Sequence, residues 1–458
     1  MNEENTEFNK EIIVRFPPSP TGRLHIGNIR SLLFNYLYAK KNNGTIVMRF
    51  EDTDRERSKE EFEEFALETL DELGIDFDKG PFKQSKRNEF YIDAIETLLE
   101  KGVAFEGEES KDGSGDKVIR IKNPNKKIKF IDAIRGEIEI DTTDFGDFVI
   151  ARSKTNPLYH LTVVVDDIDM GITDVIRGED HITSTPRQII LIEALGGIIP
   201  KYAHLPLIVG DDKKKLGKRH GAVTWNEFKK DGYLAEGVIN YLALLGWNPG
   251  DDREFFTKGD LIKEFSLEKI NNSPAVFDYK KLDSVNRMHM SKLNEEEYRS
   301  RVFDFLPEEL KEKFSGEIEK TEKIISMIIK ERIDKFSDIQ EMHKIGEFNY
   351  FFEKPKIEKE KLIFKDSTFE KTSEILTKIK NKLDEVEENN FTAENLKEKL
   401  WDWTGEIGRG YALHPMRFGL SGLQRSPDPF TISEILGKDE TLERLDNLIE
   451  VCNEKVEI

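Results

Sequence analysis

The chain is short of cysteine, of net positive charge and of long apolar runs, and each shortage removes a class of protein. A single cysteine, Cys452, stands in 458 residues. It excludes an intramolecular disulfide and any Cys-based zinc cluster, so no zinc is expected, and it fits a reducing compartment. Lys and Arg number 70 against 90 Asp and Glu, a formal net charge of -20. That balance excludes nonspecific coating of nucleic acid, which depends on neutralising phosphates. Any RNA contact has to use local basic patches, of which Lys213, Lys214, Lys215, Lys218 and Arg219 form one. Nowhere do about 18 apolar residues run together, and Met1 to Lys10 is polar and acidic, so neither membrane insertion nor export is expected. A cytoplasmic location follows as the expectation. Also missing are a Walker A loop and a G-x-G-x-x-G fingerprint after a strand, which removes the usual phosphate-loop readings.

What is present suffices for folding. Hydrophobic residues make up 37% of the chain, with 30 Phe, and the length suggests about three units of roughly 150 residues. Ile12 to Val14, a Pro/Gly-rich loop from Pro17 to Gly22, and Ile29, Leu32, Leu33, Tyr36 and Leu37 at helical spacing read as strand, loop and helix. A second apolar run, Thr45 to Phe50, precedes the acidic Glu51, Asp52 and Asp54, and an amphipathic helix follows through Phe62, Phe65, Leu70 and Leu73. Strands alternating with helices predict an α/β fold with a parallel sheet. From residue 102 to 153 the pattern changes to short, turn-broken strands, including Lys117 to Ile121 and Glu137 to Ile140, which predicts an inserted domain. The α/β pattern then resumes, with Val163 to Val165, Val175 to Ile176 and Leu205 to Val209 as strands and a helix near Pro186 to Leu195. From about residue 294 the chain is rich in Lys and Glu and predicts amphipathic helices, as in Glu308 to Phe314 and Asn390 to Trp403.

Two motifs carry chemistry. After the first strand stands Arg15-Phe16-Pro17-Pro18-Ser19-Pro20-Thr21-Gly22-Arg23-Leu24-His25-Ile26-Gly27-Asn28, leading into a helix. A helix start binds phosphate through free backbone N–H groups and its dipole; Gly27 would let a nucleotide approach and His25 would donate to phosphate. After the strand at Leu205 to Val209 comes Lys213-Lys214-Lys215-Leu216-Gly217-Lys218-Arg219-His220-Gly221, a mobile loop at a strand end in which Lys215 and Lys218 supply positive charge to transferring phosphates. Each motif is weak alone: a four-residue H-I-G-N is commonly a surface turn, and a lysine-rich loop is commonly solvated. Together, in this order, they are not.

The pair resembles the two nucleotide-binding motifs of class I aminoacyl-tRNA synthetases, with the details of the glutamyl-tRNA synthetase family. The resemblance extends through Phe50-Glu51-Asp52-Thr53-Asp54, Tyr159-His160, Val164-Val165-Asp166-Asp167, Arg177-Gly178-Glu179-Asp180-His181 and Ala203-His204-Leu205-Pro206-Leu207, and a later block from Gly408-Arg409-Gly410 to Pro415-Met416-Arg417 resembles the end of the bacterial-type enzyme. It implies a Rossmann-like catalytic domain in two halves (1–101 and 154–225) interrupted by a domain for the tRNA acceptor end (102–153), a connecting helical domain that contacts the tRNA stem (226–293) and an all-helical anticodon-binding region (294–458). It places Arg15, Ser19, Glu51, Tyr159 and Arg177 at glutamate-binding positions and His25, Gly27, Asn28, Lys215 and Lys218 at ATP-binding positions. His25, Lys215 and Lys218 are then the catalytic candidates. It further implies ATP with Mg2+ as substrate, glutamate and tRNA(Glu) as partners, and a monomer; no protein ligand for a metal is nominated. Arg409, Tyr411 and Arg417 are candidates for contact with tRNA.

Three residues depart from the family pattern: Val163 stands where some relatives have Asn, Leu158 where Thr is usual, and Gly217 where Ser is usual. Val163 and Gly217 keep open a noncatalytic RNA-binding relative, and the sequence also leaves open a nondiscriminating form that charges tRNA(Gln). Glutaminyl-tRNA synthetase fits less well because its tail resembles β-barrels. A truncated paralogue that modifies a tRNA base is opposed by length, and a general nucleotidyltransferase would not need the long helical tail.

Overall fold

The computed structural model of the chain describes residues 11–109, 115–214, 216 and 224–454. Two compact units emerge, Met1–His289 and Met290–Ile458.

The first unit is organised by parallel strands. β1 (Ile13–Phe16) pairs with β2 (Thr45–Phe50), Ile13 opposite Thr45 and Phe16 opposite Met48, and β2 pairs with β3 (Lys79–Lys83), all parallel. On the other side of β1, the Ile13 N–H donates to Thr173 Oγ1 at 2.8 Å and the Thr173 N–H donates to the Ile13 carbonyl at 2.9 Å. That brings β10 (Asp174–Gly178) alongside β1, and β10 pairs in parallel with β11 (Lys201–Leu205). The order is therefore β3-β2-β1-β10-β11. Strands of this kind are covered on both faces and read as continuous apolar runs, as β2 does from Ile46 to Phe50, all buried. The covering helices are α1 (Ile26–Lys41), α2 (Glu60–Glu72), α3 (Asn88–Glu100), α4 (Tyr159–Asp169) and α5 (Thr185–Leu195). The chain passes to opposite sides of β1 in its two halves, and a ligand site is expected at the carboxyl ends of strands at such a switch point.

Between the halves, β4 (Ala104–Glu108), β5 (Lys117–Ile121), β8 (Phe148–Ser153) and β9 (Asn156–Pro157) form an antiparallel sheet. The hairpin of β6 (Lys127–Asp132) and β7 (Gly136–Asp141) goes elsewhere: Asp132 lies opposite Tyr202, which adds the hairpin to the outer side of β11. The interrupting segment thus contributes to the sheet it interrupts. Beyond β11, the short β12 (Ile208–Val209) and β13 (Ala275–Val276) pair in parallel, and the helices α6 (Trp225–Lys230), α7 (Ala235–Leu244), α8 (Lys258–Glu264) and α9 (Tyr279–Met290) follow. Trp225, Phe228, Phe256, Phe265 and Phe277 share one buried core with Leu33 and Leu37 of α1.

Two strand expectations fail. Val163 to Val165 lie inside α4 rather than in a strand. Their β-branched side chains favour strands only by modest amounts, and here Val164 and Val165 gain burial against Ile189 and Ile190 of α5 and Ile95 of α3. The strand expected from Leu205 to Val209 is broken into β11 and β12 by Pro206, which has no N–H for a ladder.

In the second unit the regular elements, among the described residues, are helices, including Glu295–Phe305, Glu308–Gly316, Phe369–Asp384, Ala393–Ile407, Arg409–Ser421 and Lys438–Asn453. Phe314, Phe336, Phe348 and Phe351 are fully buried in it. Among the described residues, no helix is long and apolar enough to cross a membrane.

Candidate active site

The carboxyl ends of β1, β2 and β10 and the start of α1 surround a cavity of about 1040 Å³. Arg15, Ser19, His25, Gly27, Asn28, Glu51, Tyr159 and Arg177 all line it, although they come from four stretches of sequence up to 162 positions apart. Lys215 and Lys218, and with them Gly217, lie outside the described residues. Their described neighbours Leu216 and Thr224 line the same cavity, and Thr224 forms a β-bridge with His25.

Three buried arginines line the cavity, of which Arg30 is engaged by the carbonyls of Leu245 and Pro206. Arg177 is 7% exposed and its guanidinium is held by three neutral groups: Nε donates to His204 Nε2 at 3.2 Å, Nη1 to Gln188 Oε1 at 2.8 Å and Nη2 to Thr185 Oγ1 at 2.8 Å. Among the described residues no carboxylate pairs with it. Burial, and then the charge of Arg15, lowers its proton affinity, so an anion from outside would be held strongly. Arg15 is 2% exposed; its Nε donates to Asp167 Oδ2 at 3.4 Å, and its Nη1 is buried with no hydrogen-bond partner among the described residues.

Glu51 is the complementary group. Its carboxyl is pushed up to about 7 by burial, against the pull of Arg49 and Arg15. Arg49, fully buried, lies 3.3 Å from Glu51 but also 2.9 Å from Asp167 and 3.5 Å from Asp166. Glu51 shares Arg49 with Asp166 and Asp167, and burial outweighs that ion pair in setting its pKa. A cation placed in the cavity would complete the balance. Tyr159, at the cavity wall, is pushed up to about 12 by desolvation and then by the Glu51 charge. Its hydroxyl lies 3.4 Å from His181 Nδ1, while burial and then Arg177 hold His181 down at about 4 and neutral.

The start of α1 departs from expectation in one respect. Its first N–H groups are already used: Gly27 N–H donates to His25 Nδ1 at 3.1 Å, and those of Asn28 and Ile29 to the His25 carbonyl at 2.8 and 3.1 Å. The N–H groups of Gly27 and Asn28 are thus engaged within the helix start rather than free. Because Nδ1 accepts, the neutral ring carries its proton on Nε2, and His25 presents a donor backed by the helix dipole. A Cβ at Gly27 would sit 2.8 Å from His25 Cε1, so glycine is needed there to let the ring fold over the helix start.

Sequence reading missed the layer that holds these groups. Asp166, fully buried, receives Arg87 Nε at 2.8 Å, Gln84 Nε2 at 2.8 Å and the Tyr91 hydroxyl at 3.0 Å. Arg49 offered a signal, a charged residue inside the apolar run of β2; Gln84, Thr185 and Gln188 offered none. Val163 is 2% exposed and lies outside the cavity wall, which removes it as an argument against binding. Leu158 precedes α4 as its N-cap without a side-chain hydrogen bond.

The three tRNA candidates of the second unit have partners within that unit. Arg409 stacks 3.9 Å from the Trp401 ring centroid, Tyr411 donates to Asp366 Oδ1 at 2.5 Å, and Arg417 Nη2 donates to the Gln424 carbonyl at 3.1 Å.

Comparison with known proteins agrees with this geometry. The family of class I tRNA synthetases (E and Q), catalytic domain, matches residues 11–114 and 106–284, and an anticodon binding domain matches residues 296–449. A glutamate–tRNA ligase of Sulfurihydrogenibium sp. is 38% identical, the alignment covering 95% of this chain and 99% of that protein. Glutamate–tRNA ligase 2 of Thermoanaerobacter pseudethanolicus is also 38% identical, covering 96% and 98%. The crystal structure of a glutamate tRNA ligase from Elizabethkingia meningosepticum in complex with its amino acid superposes with a TM-score of 0.80 at 28% identity, covering 96% of this chain and 99% of that one.

Proposed function

The chain belongs to the class I tRNA synthetase family for glutamate and glutamine, and on that premise we propose that it is the glutamate-specific enzyme, activating glutamate with ATP and transferring it to tRNA. The observation that carries the choice is Arg177, a buried guanidinium held, among the described residues, only by neutral acceptors. A γ-carboxylate would neutralise it, whereas the amide of glutamine would leave its charge unmet in a dry site.

The rest of the cavity assigns itself from there. The ammonium and α-carboxylate share one carbon, so their binding groups must be neighbours. Arg15, bound to Asp167, and Glu51, bound to Arg49, are that pair, joined through the Arg49–Asp167 ion pair. Ser19 and Tyr159 complete the glutamate pocket. The α-carboxylate oxygen attacks the α-phosphorus of MgATP, the bond to the bridging oxygen breaks and pyrophosphate leaves; the 2′-hydroxyl of the terminal adenosine then attacks the carbonyl carbon, releasing AMP and a proton. No side chain acts as nucleophile. His25 Nε2–H, with Lys215 and Lys218, stabilises charge on the phosphates. Of the three carboxylates that line the cavity, Glu51, Asp180 and Glu227, Glu51 is tied to Arg49 and Glu227 to Thr224, and among the described residues no group of three or more His, Cys, Asp or Glu side chains could hold a metal ion. Magnesium would enter with the nucleotide, whose phosphate oxygens would supply its ligands together with water.

The interrupting segment 102–153 takes the acceptor end, the helices of residues 226–293 the stem and the second unit the anticodon, where Arg409, Tyr411 and Arg417 remain candidates. The enzyme works as a monomer in the cytoplasm. ATP–pyrophosphate exchange tests the activation step: exchange is expected with glutamate plus tRNA, not with glutamine, and lost in Lys218→Ala. No exchange under any condition would contradict the enzyme and favour an RNA-binding relative.

A further inference from the structure

Arg177 can receive a carboxylate correctly only if its plane is fixed, and one of the three groups fixing it is itself controlled from the interrupting segment. His204, fully buried on β11, accepts from Arg177 Nε on its Nε2. Its Nδ1 lies 2.7 Å from Asp132 Oδ2. A carboxylate only accepts, so the proton of the neutral imidazole sits on Nδ1 and the lone pair on Nε2. With the other tautomer, two N–H donors would face each other across 3.2 Å. Burial holds His204 below the usual histidine range, which keeps the ring neutral at pH 7.

Asp132 does not line the cavity. It is the last residue of β6, 1% exposed. Its Oδ2 also accepts from the His204 N–H at 3.0 Å, and its Oδ1 accepts from the N–H groups of Ile134 and Arg135, each at 3.0 Å. Burial opposes ionisation of Asp132, but these bonds win and hold its pKa below the usual carboxylate range. Arg135, in the same turn, pairs with Glu179, whose Oε1 accepts from the Leu207 N–H at 2.8 Å. The turn of the β6–β7 hairpin therefore grips the ends of both β10 and β11.

We propose that Asp132 and His204 are positioning residues for the amino-acid pocket: Asp132 sets the tautomer of His204, and His204 aims the Arg177 guanidinium at the side-chain carboxylate of the substrate. The proposal rests on the assignment of Arg177 to that carboxylate. It makes the β6–β7 hairpin part of the glutamate site without touching glutamate.

Steady-state tRNA charging by the full-length enzyme tests it, with thermal unfolding followed in parallel. His204→Leu and Asp132→Asn, which removes the acceptor or inverts the tautomer, are expected to raise the KM for glutamate about tenfold while the KM for ATP stays within about twofold, the loss of one hydrogen bond to a charged group. His204→Gln, whose Oε1 again offers Arg177 an acceptor, is expected to bring the glutamate KM back to within about threefold of wild type. If His204→Leu fails to fold, Asp132→Asn carries the same comparison. A folded Asp132→Asn or His204→Leu enzyme with an unchanged glutamate KM, or with both KM values raised alike, would overturn the proposal. An Arg177→Lys enzyme with unchanged glutamate KM would instead remove the assignment of Arg177 on which it rests.

Discussion

At the residue scale, the pocket works by charges left incomplete until substrate arrives. Arg177 has donors satisfied by neutral atoms and a charge that is not. Lysine at that position would keep the charge but lose the planar fork. Arg177→Lys is therefore expected to raise the glutamate KM by tenfold or more, about 1.5–3 kcal/mol for a charged hydrogen bond, with the ATP KM nearly unchanged, as measured in charging kinetics. Glu51 gives a pH signature. With its pKa at about 7 before substrate binds, the carboxylate that holds the ammonium is progressively protonated as pH falls. The glutamate KM should be flat above pH 7 and climb toward about tenfold per pH unit below it. A KM that falls on acidification would remove Glu51 from that role. Arg15, Glu51 and Arg177 were named through the family resemblance of the dense motifs around them, with charges that suit a dicarboxylate amino acid, and all three line the cavity. Asp132 and His204 were not, because their bond spans 72 positions and neither touches the cavity.

At the scale of the element, α1 shows how a local rule and a functional rule meet. Gly27→Ala would drive a Cβ to 2.8 Å from His25 Cε1 and displace the capping ring. The lost cap costs about 1 kcal/mol, and alanine returns about as much in helix propensity, so the two nearly cancel in stability. The ATP KM should nevertheless rise by about fivefold or more, because the Nε2 donor moves. Kinetics together with a melting curve would separate the two effects. The first strand, the helix after it and the strand at Thr45 to Phe50 were readable from periodicity. The run Val163 to Val165 was not: it has the composition of a strand and becomes helix through contacts with α3 and α5. The attachment of the β6–β7 hairpin to β11 left no mark in the sequence either, since pairing through a single register position, Asp132 opposite Tyr202, has no pattern to read.

At the scale of the whole molecule, each of the two units has its own buried aromatic core, and the four tryptophans divide evenly between them: Trp225 and Trp247 in the first, Trp401 and Trp403 in the second. In a Trp401→Phe, Trp403→Phe variant, fluorescence reports the first unit alone. Glutamate with ATP at about 100 times their Kd should stabilise that unit by about 2.7 kcal/mol for one linked site, moving its transition up by about 5 °C. An unmoved transition would place the ligands elsewhere. Composition was informative at this scale by exclusion: a charge of -20 already required any RNA contact to be local.

The most direct test of the central claim is charging of tRNA by the wild-type enzyme with labelled glutamate or labelled glutamine, side by side. Glutamate should be attached and glutamine should not, with Arg177→Lys losing most of the glutamate signal at low substrate. Equal attachment of both amino acids, or of neither, would contradict a pocket built around an uncompensated Arg177.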